Sequence, residues 1–406
     1  MLSFKKSVLA IVLAGGKGER LYPLTLERTK PSVPFGGKYR IIDFALSNLV
    51  NSGIYSIYVL VQYKSQSLIE HIRTTWRKGG IFPHHFITVV PPQMRRTKEW
   101  YRGTADSVYQ NINLIYDYKP KLVAIFSGDH IYRMDISQMV VFHLKKKADL
   151  TISVVPISSK EANKFGVVHF DKDLRVTNFI EKPESLAENS SVFASMGNYI
   201  FNADTLINTL EEKSKDVAHY DFGRDVIPYL VEKRAKVFAY DFSFNKIPAR
   251  KRYEDKFYWR DVGTIESYWQ ANMDILGKFP KLDLDNREWP IYASDLYSPP
   301  AYVLDSLIEN SLISEGTRIL GAKVENSILG RGVKIEKGCE VTDSIIMDFT
   351  HLKNNCKIRR AIIDRFNILS ENTSIGFDKN LDKKKYFVDS SGIVVLKRGL
   401  RRNFYT

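Results

Sequence analysis

Cysteine is almost absent. Cys339 and Cys356 are the only two in 406 residues, too few for a disulfide framework or a multi-cysteine zinc site, and neither sits in a C-x-x-C pattern, so redox chemistry is excluded. Long apolar runs are missing too, and none approaches the ~18 residues that cross a bilayer. Residues 8–14, which follow Lys5-Lys6, have the length of a signal-peptide core, but they lead into Gly-Gly-Lys-Gly-Glu-Arg and not into a small-residue cleavage site. They read as a buried strand entering a loop, and the protein is expected in the cytoplasm with no membrane partner. Acidic charge is also scarce: 46 Asp+Glu against 60 Lys+Arg leaves +14. That sign favours anionic partners such as nucleotides, sugar phosphates, pyrophosphate or nucleic acid. Nucleic acid ranks last, because the chain has no RNP-like aromatic motif, helix-turn-helix or zinc spacing.

What is present is a core-forming composition, 44% hydrophobic and 26% charged, in a chain too long for one hydrophobic core. The first two thirds alternate buried-strand runs (residues 7–13, 57–61, 122–126 and 150–155) with helical spacing over 40–52, 65–77 and 139–147, the pattern of an α/β sheet with crossover helices. In such sheets ligands sit beyond the carboxyl ends of strands. This places residues 15–20 and Asp129, in Ser-Gly-Asp-His, on one edge. Residues 283–300, with Pro290, Pro299 and Pro300, suggest a linker. Beyond it, steps of six residues (Ile313 to Ile319, Ile335 to Val341) between short apolar pairs predict a parallel β-helix, in which each strand buries its side chain only by stacking on the next coil. A small antiparallel domain would account for the strands but not for the steps of six.

The sharpest local signal is Leu13-Ala14-Gly15-Gly16-Lys17-Gly18-Glu19-Arg20-Leu21. It fails the Walker A template and lacks the third glycine of a dinucleotide fingerprint. What remains is glycines that let backbone N–H groups close on phosphates, with Lys17 and Arg20 adding charge. Taken singly, this cluster is equally an unliganded turn. An Asp after a strand, such as Asp129, is by itself more simply a helix N-cap.

In order along the chain, GGKGERL, TKP, FGGKYRIIDFALSN, WYRGTAD, SGDHIY, EKP, SMGNYIF, HYDFGRD and YWRDVGT closely resemble the bacterial ADP-glucose pyrophosphorylases, a family of sugar nucleotidyltransferases. The resemblance runs from residue 8 into the C-terminal region. GGKGERL and EKP are shared by sugar nucleotidyltransferases generally, whereas FGGKYRIIDFALSN and WYRGTAD are particular to the adenylyl branch. The resemblance implies an α/β fold in which a Rossmann-like mixed-sheet nucleotidyltransferase domain (residues 1–282) and the linker (283–300) precede a smaller left-handed parallel β-helix (301–406).

It also implies a reaction of ATP with glucose 1-phosphate that gives ADP-glucose and pyrophosphate for glycogen biosynthesis. The attacking sugar phosphate is already an anion, its second pKa being about 6. No general base is needed, in keeping with the lack of any Ser-His-Asp or Cys-His arrangement. The site must instead supply positioning and charge neutralisation. The resemblance assigns Mg²⁺ to Asp129 and Asp261, which suits an ion that takes one or two carboxylates and bridges phosphates. It assigns Arg20 and Lys30 to the triphosphate, alongside Gly15, Gly16 and Lys17. Gln93, Tyr101, Gly103 and Thr104 fall on the nucleotide side, with Gln93 on the adenine. Lys182 takes the sugar's phosphate, and Glu181, Ser195, Tyr199, Asp221, Phe222 and Trp259 take the sugar.

One position departs from the family pattern. Glu27 stands where an activator-binding lysine is usual, which predicts insensitivity to fructose 1,6-bisphosphate or a different effector; Arg28 and the basic tail from residue 379 remain candidates for some anion. Family members are usually tetramers, so a homotetramer or a heterotetramer with a paralogous subunit is expected. Asp129, Lys182 and Asp261 are all present, which favours an active chain over a catalytically silent regulatory subunit. A uridylyl- or thymidylyl-transferase acting on the same sugar phosphate is the other enzymatic alternative.

Overall fold

The computed structural model describes residues 7–76, 85–93, 100–184, 191–213, 220–294 and 298–401. Among the described residues nine strands form the central sheet: β1 (Val8–Leu13), β2 (Ser56–Leu60), β3 (Phe86–Val90), β4 (Leu122–Ser127), β5 (Leu150–Ser158), β6 (Gly166–Phe170), β7 (Val176–Glu181), β8 (Ser191–Asn202) and β9 (Val237–Asp241). β1 is apolar along its whole length because both of its faces are covered. Ala10 and Val12 enter one core and Leu9 and Ile11 the other, the alternation that a strand imposes. β1 pairs in parallel with β2 and β4, and β2 with β3, whereas β8 runs antiparallel to β4, β5 and β6. The sheet is therefore mixed, as expected. Helices α1 (Ile41–Asn51) and α2 (Gln66–Thr75) fall where helical spacing predicted them. The helix expected over 139–147 begins earlier, at Ile136, because Asp135 caps it by accepting from Ser137 N at 2.9 Å.

From Tyr302 the chain winds through three sheets whose coils pair in parallel, closed by one antiparallel pair of Phe387–Val388 with Val394–Leu396. Ile319 stacks on Ile335, Leu352 and Leu369; Val324 on Val341, Ile358 and Ile375; Leu329 on Ile346 and Ile363. Read along the chain, these buried residues advance by five or six positions, which explains why the six-residue pattern looked imperfect. The five-residue steps turn at Gly321, Asn326, Asp343 and Arg360, all at positive φ, a conformation that Asn and Asp tolerate best after glycine.

Residues 283–300 carry no helix or strand among their described residues, yet they do not form a loose tether. Trp289 and Ile291 are buried, Trp289 Nε1 donates to Asn48 Oδ1 at 3.3 Å, and Asn51 Nδ2 donates to Pro290 O at 2.9 Å. The segment is a strap laid along α1. A shared apolar cluster then joins Phe35, Ile41, Phe44 and Tyr268 to Ile328, Ile345, Met347 and Ile362 of the β-helix.

His143 is buried beneath β5 with Nδ1 2.9 Å from Thr151 Oγ1. Burial pushes its pKa from 6.5 down to about 4, against the smaller opposing pull of Asn202 and Asp149. Because the folded value lies below the unfolded one, its contribution is full above pH 6.5 and is lost as pH falls towards 4. We expect the unfolding free energy of the parent protein to drop by about 3 kcal/mol more than that of His143→Gln between pH 7 and pH 4. Urea titrations of the two proteins at each pH measure the difference, and parallel losses would show that His143 titrates normally.

Candidate active site

β1 and β4 end side by side, and the glycines after them let the chain close over the sheet edge. Gly128 N donates to Leu13 O at 3.1 Å, and a Cβ at Gly128 would come within 3.1 Å of Val12 Cγ1. Asp129 therefore emerges next to the glycine loop, as the strand-end argument required. Gly18 sits at φ 66°, and a Cβ there would meet Lys30 Cβ at 3.0 Å. The loop packs directly on the segment that carries Lys30.

Lys30 Nζ donates to Asp129 Oδ2 at 2.9 Å and to Asp261 Oδ1 at 2.6 Å. Its side chain is only 8% exposed. Burial works against its charge, but the two carboxylates outweigh burial and raise its pKa. Burial likewise opposes the charge on Asp129; Lys30, His130 and a hydrogen bond from Ser127 Oγ more than compensate and hold its carboxyl well below the usual range. Asp261 arrives on the short strand Trp259–Asp261, antiparallel to His130–Tyr132, where His130 is its register partner. One ligand atom each from Asp129, His130 and Asp261 lies within 4.8 Å of the others. Two hard carboxylates at this separation fit a divalent cation.

Of these groups Lys30 and Asp129 stand at the wall of a cavity of ≈ 890 Å³, whereas His130 and Asp261 are not among its lining residues. Of the residues proposed from sequence, it is lined by Gly15, Gly16, Lys17, Arg20, Lys30, Tyr101, Gly103, Thr104, Asp129, Glu181, Lys182, Tyr199, Asp221 and Phe222. Lys182 Nζ lies 3.3 Å from Glu181 Oε1, and Arg20 Nη2 lies 4.0 Å from Asp261 Oδ2. Burial raises the pKa of Tyr199, against a hydrogen bond with Ser195, so its hydroxyl stays protonated. Ser195 and Trp259 are buried behind the lining. Ser195 Oγ lies 3.4 Å from Tyr199 OH, and Trp259 packs on His130 and Phe165.

Gln93 does not reach the cavity: it is exposed, and its Nε2 donates to Pro91 O at 3.0 Å. Its neighbours 94–99 fall outside the described residues. The amide that does line the cavity is Gln62, which follows β2, lies against Gly15 and donates to Tyr101 O at 3.3 Å. Sequence reasoning missed it, although a polar residue just past a buried strand was the available signal. Gly223 was missed as well; a Cβ there would fall 2.4 Å from Glu181 Oε2.

Arg28 is corrected outright as a candidate anion-binding group. It is fully buried, donates from Nε to Leu24 O at 3.0 Å and forms a buried ion pair with Asp364 of the β-helix. Glu27 Oε2 lies 3.2 Å from Arg398 Nη1, so part of the basic tail also faces an acidic partner.

The family model for nucleotidyl transferases matches residues 9–278, and one for the GlmU-like C-terminal hexapeptide matches residues 303–396. A glucose-1-phosphate adenylyltransferase from Thermodesulfovibrio yellowstonii is 53% identical over 98% of this chain and 97% of its own. The protein of that name from Thermus thermophilus is 46% identical over 98% and 99%, and one from Aliivibrio fischeri 45% identical over 97% and 98%. This chain belongs to the glucose-1-phosphate adenylyltransferase family. The two matches bear out both parts of the expected architecture, a mixed-sheet nucleotidyl transferase domain followed by a hexapeptide β-helix of the left-handed type.

For a family member built this way, Asp129→Asn should lower turnover by ~10³-fold, since it removes one charged group on which the reacting phosphates depend. Its circular dichroism spectrum should match the parent's, while loss of the pair with Lys30 lowers its melting temperature. A decrease of less than about tenfold, read by pyrophosphate release, would remove Asp129 from the catalytic machinery.

Proposed function

We propose that the chain transfers the adenylyl group of ATP to the phosphate of α-D-glucose 1-phosphate, releasing pyrophosphate and forming ADP-glucose. The observation that carries this reading is the Lys30 bridge between Asp129 and Asp261 at the wall of a cavity that Glu181, Lys182, Tyr199 and Asp221 also line. The glycine loop and Tyr101 suit the nucleotide, and Gln62 supplies an amide with both donor and acceptor. Lys182 suits the sugar's phosphate, while Glu181 and Asp221 accept from hexose hydroxyls.

Asp129 and Asp261 would hold the divalent cation, which we assign as Mg²⁺; when bound it draws negative charge from the phosphates. Lys30, fixed within hydrogen-bond distance of both carboxylates, keeps them oriented. Arg20, more exposed, would offset the charge that builds on the departing pyrophosphate. With an anionic nucleophile, the protein's task is to hold two polyanions in contact and offset their repulsion.

The same reading places the enzyme in glycogen biosynthesis in the cytoplasm as a homotetramer or a heterotetramer with a paralogue. No helix among the described residues is long and apolar enough to cross a membrane. The Glu27–Arg398 pair supports insensitivity to fructose 1,6-bisphosphate, since an acidic group already occupies that guanidinium.

Purified protein given Mg²⁺, glucose 1-phosphate and one nucleoside triphosphate at a time should release pyrophosphate with ATP, and with UTP or dTTP at under about a tenth of that rate. Preference for UTP or dTTP would make the chain a pyrimidine-nucleotide transferase. Silence with every nucleotide would leave the regulatory-subunit reading.

A further inference from the structure

Thr104 opens the helix α3 (Thr104–Gln110) on the cavity wall. The motif around it points to the nucleotide, but its polar atoms face the other way. Thr104 N and Thr104 Oγ1 both donate to Asp221 Oδ1, each at 2.9 Å. Phe222 N returns a hydrogen bond to Thr104 Oγ1 at 3.1 Å. The next two amides of α3, those of Ala105 and Asp106, both donate to Tyr220 O at 3.0 and 3.1 Å. The helix start is thus satisfied from within the chain, and its first N–H groups are not on offer to a phosphate.

Gly103 explains how the two segments come so close. A Cβ at that position would lie 2.3 Å from Tyr220 O and 2.9 Å from Asp221 Oδ1, so only glycine lets the backbones meet. Asp221 N is also held, donating to Asp225 Oδ2 at 2.7 Å. One carboxylate oxygen is therefore pinned by two donors, and among the described residues Oδ2 takes no hydrogen bond. A carboxylate so fixed presents a single acceptor in one orientation, which is what discrimination among hexose hydroxyls demands.

We propose that Thr104 is a positioning residue for the sugar and not a nucleotide contact: it clamps Asp221 so that its second oxygen is presented to a hydroxyl of the hexose phosphate. The inference rests on the cavity being a sugar-nucleotide site as proposed above.

Calorimetric titration of the full-length parent, Thr104→Val and Thr104→Ser with ADP-glucose and separately with ADP, in Mg²⁺, separates the sugar from the nucleotide without depending on the order of substrate binding. Losing the hydroxyl's bonds to a charged group should weaken ADP-glucose by about tenfold and leave ADP within about twofold. The serine variant, which keeps the hydroxyl, should bind ADP-glucose within roughly threefold of the parent. If circular dichroism shows that the valine variant does not fold, Thr104→Ala takes its place. Equal weakening of both ligands, weakening of ADP alone, or no change in either overturns the clamp. A parent that binds neither ligand overturns the transferase reading and the clamp with it, whereas a parent that binds both beside a parent-like valine variant overturns the clamp alone.

Discussion

The site depends on one cation held between two anions. Asp129, in the turn after Leu122–Ser127, and Asp261, on the strand Trp259–Asp261, are brought together from distant sequence, and their mutual repulsion would drive them apart in a cleft only partly open to water. Lys30, at 2.9 and 2.6 Å, offsets that repulsion. One ammonium against two carboxylates leaves a local deficit of positive charge, which a divalent ion can fill without any rearrangement of the backbone. Lys30 is able to do this because its own segment is fixed. The glycine loop packs against its Cβ, Thr25 Oγ1 donates to Gly18 O at 3.0 Å, and Lys30 O accepts from Val33 N at 3.0 Å.

That segment is also where the two parts of the chain are joined. Residues on either side of Lys30 enter the β-helix boundary: Arg28 through its pair with Asp364, Phe35 and Ile41 through the shared apolar cluster. A buried ion pair is weak evidence for stability, because desolvation consumes much of what attraction returns. It does fix register, since either charge left alone in that boundary would be costly. The β-helix therefore acts as a backstop for the loop that carries Lys30, even though none of its described residues lines the cavity.

How much of this was legible depended on whether a feature was local. The apolar run of β1, the glycine loop after it and Asp129 at a strand end follow from periodicity and a packing rule, and they stand where expected. Asp261 had no local signature; only the ordered motifs pointed to it, because its partnership with Asp129 is made by pairing Trp259–Asp261 with His130–Tyr132. Gln62 and Gly223 were invisible because their importance lies in what approaches them from distant sequence. Arg28 misled for the same reason, since nothing in Glu-Arg-Thr-Lys announces that an aspartate over three hundred residues away will bury it. In the β-helix the stacking residues were legible, while the mixed steps of five and six were hidden in corners whose Asn and Asp residues read simply as loop.

The basic excess that first suggested anionic ligands reaches the cavity, whose lining holds Lys17, Arg20, Lys30, Arg102, Lys182 and Arg224 against Glu19, Asp129, Glu181 and Asp221. Lys17 and Arg20 are mostly exposed, and Lys30 is already committed to two carboxylates. The cavity therefore offers phosphates the exposed cations Lys17, Arg20 and Lys182 beside a carboxylate pair that Lys30 bridges. Substrate phosphates gain little from the bare acidic pair and much more once a divalent ion has reversed its sign locally. A divalent ion held by Asp129 and Asp261 would couple metal binding to nucleotide binding, which suits an enzyme whose nucleophile and electrophile are both polyanions.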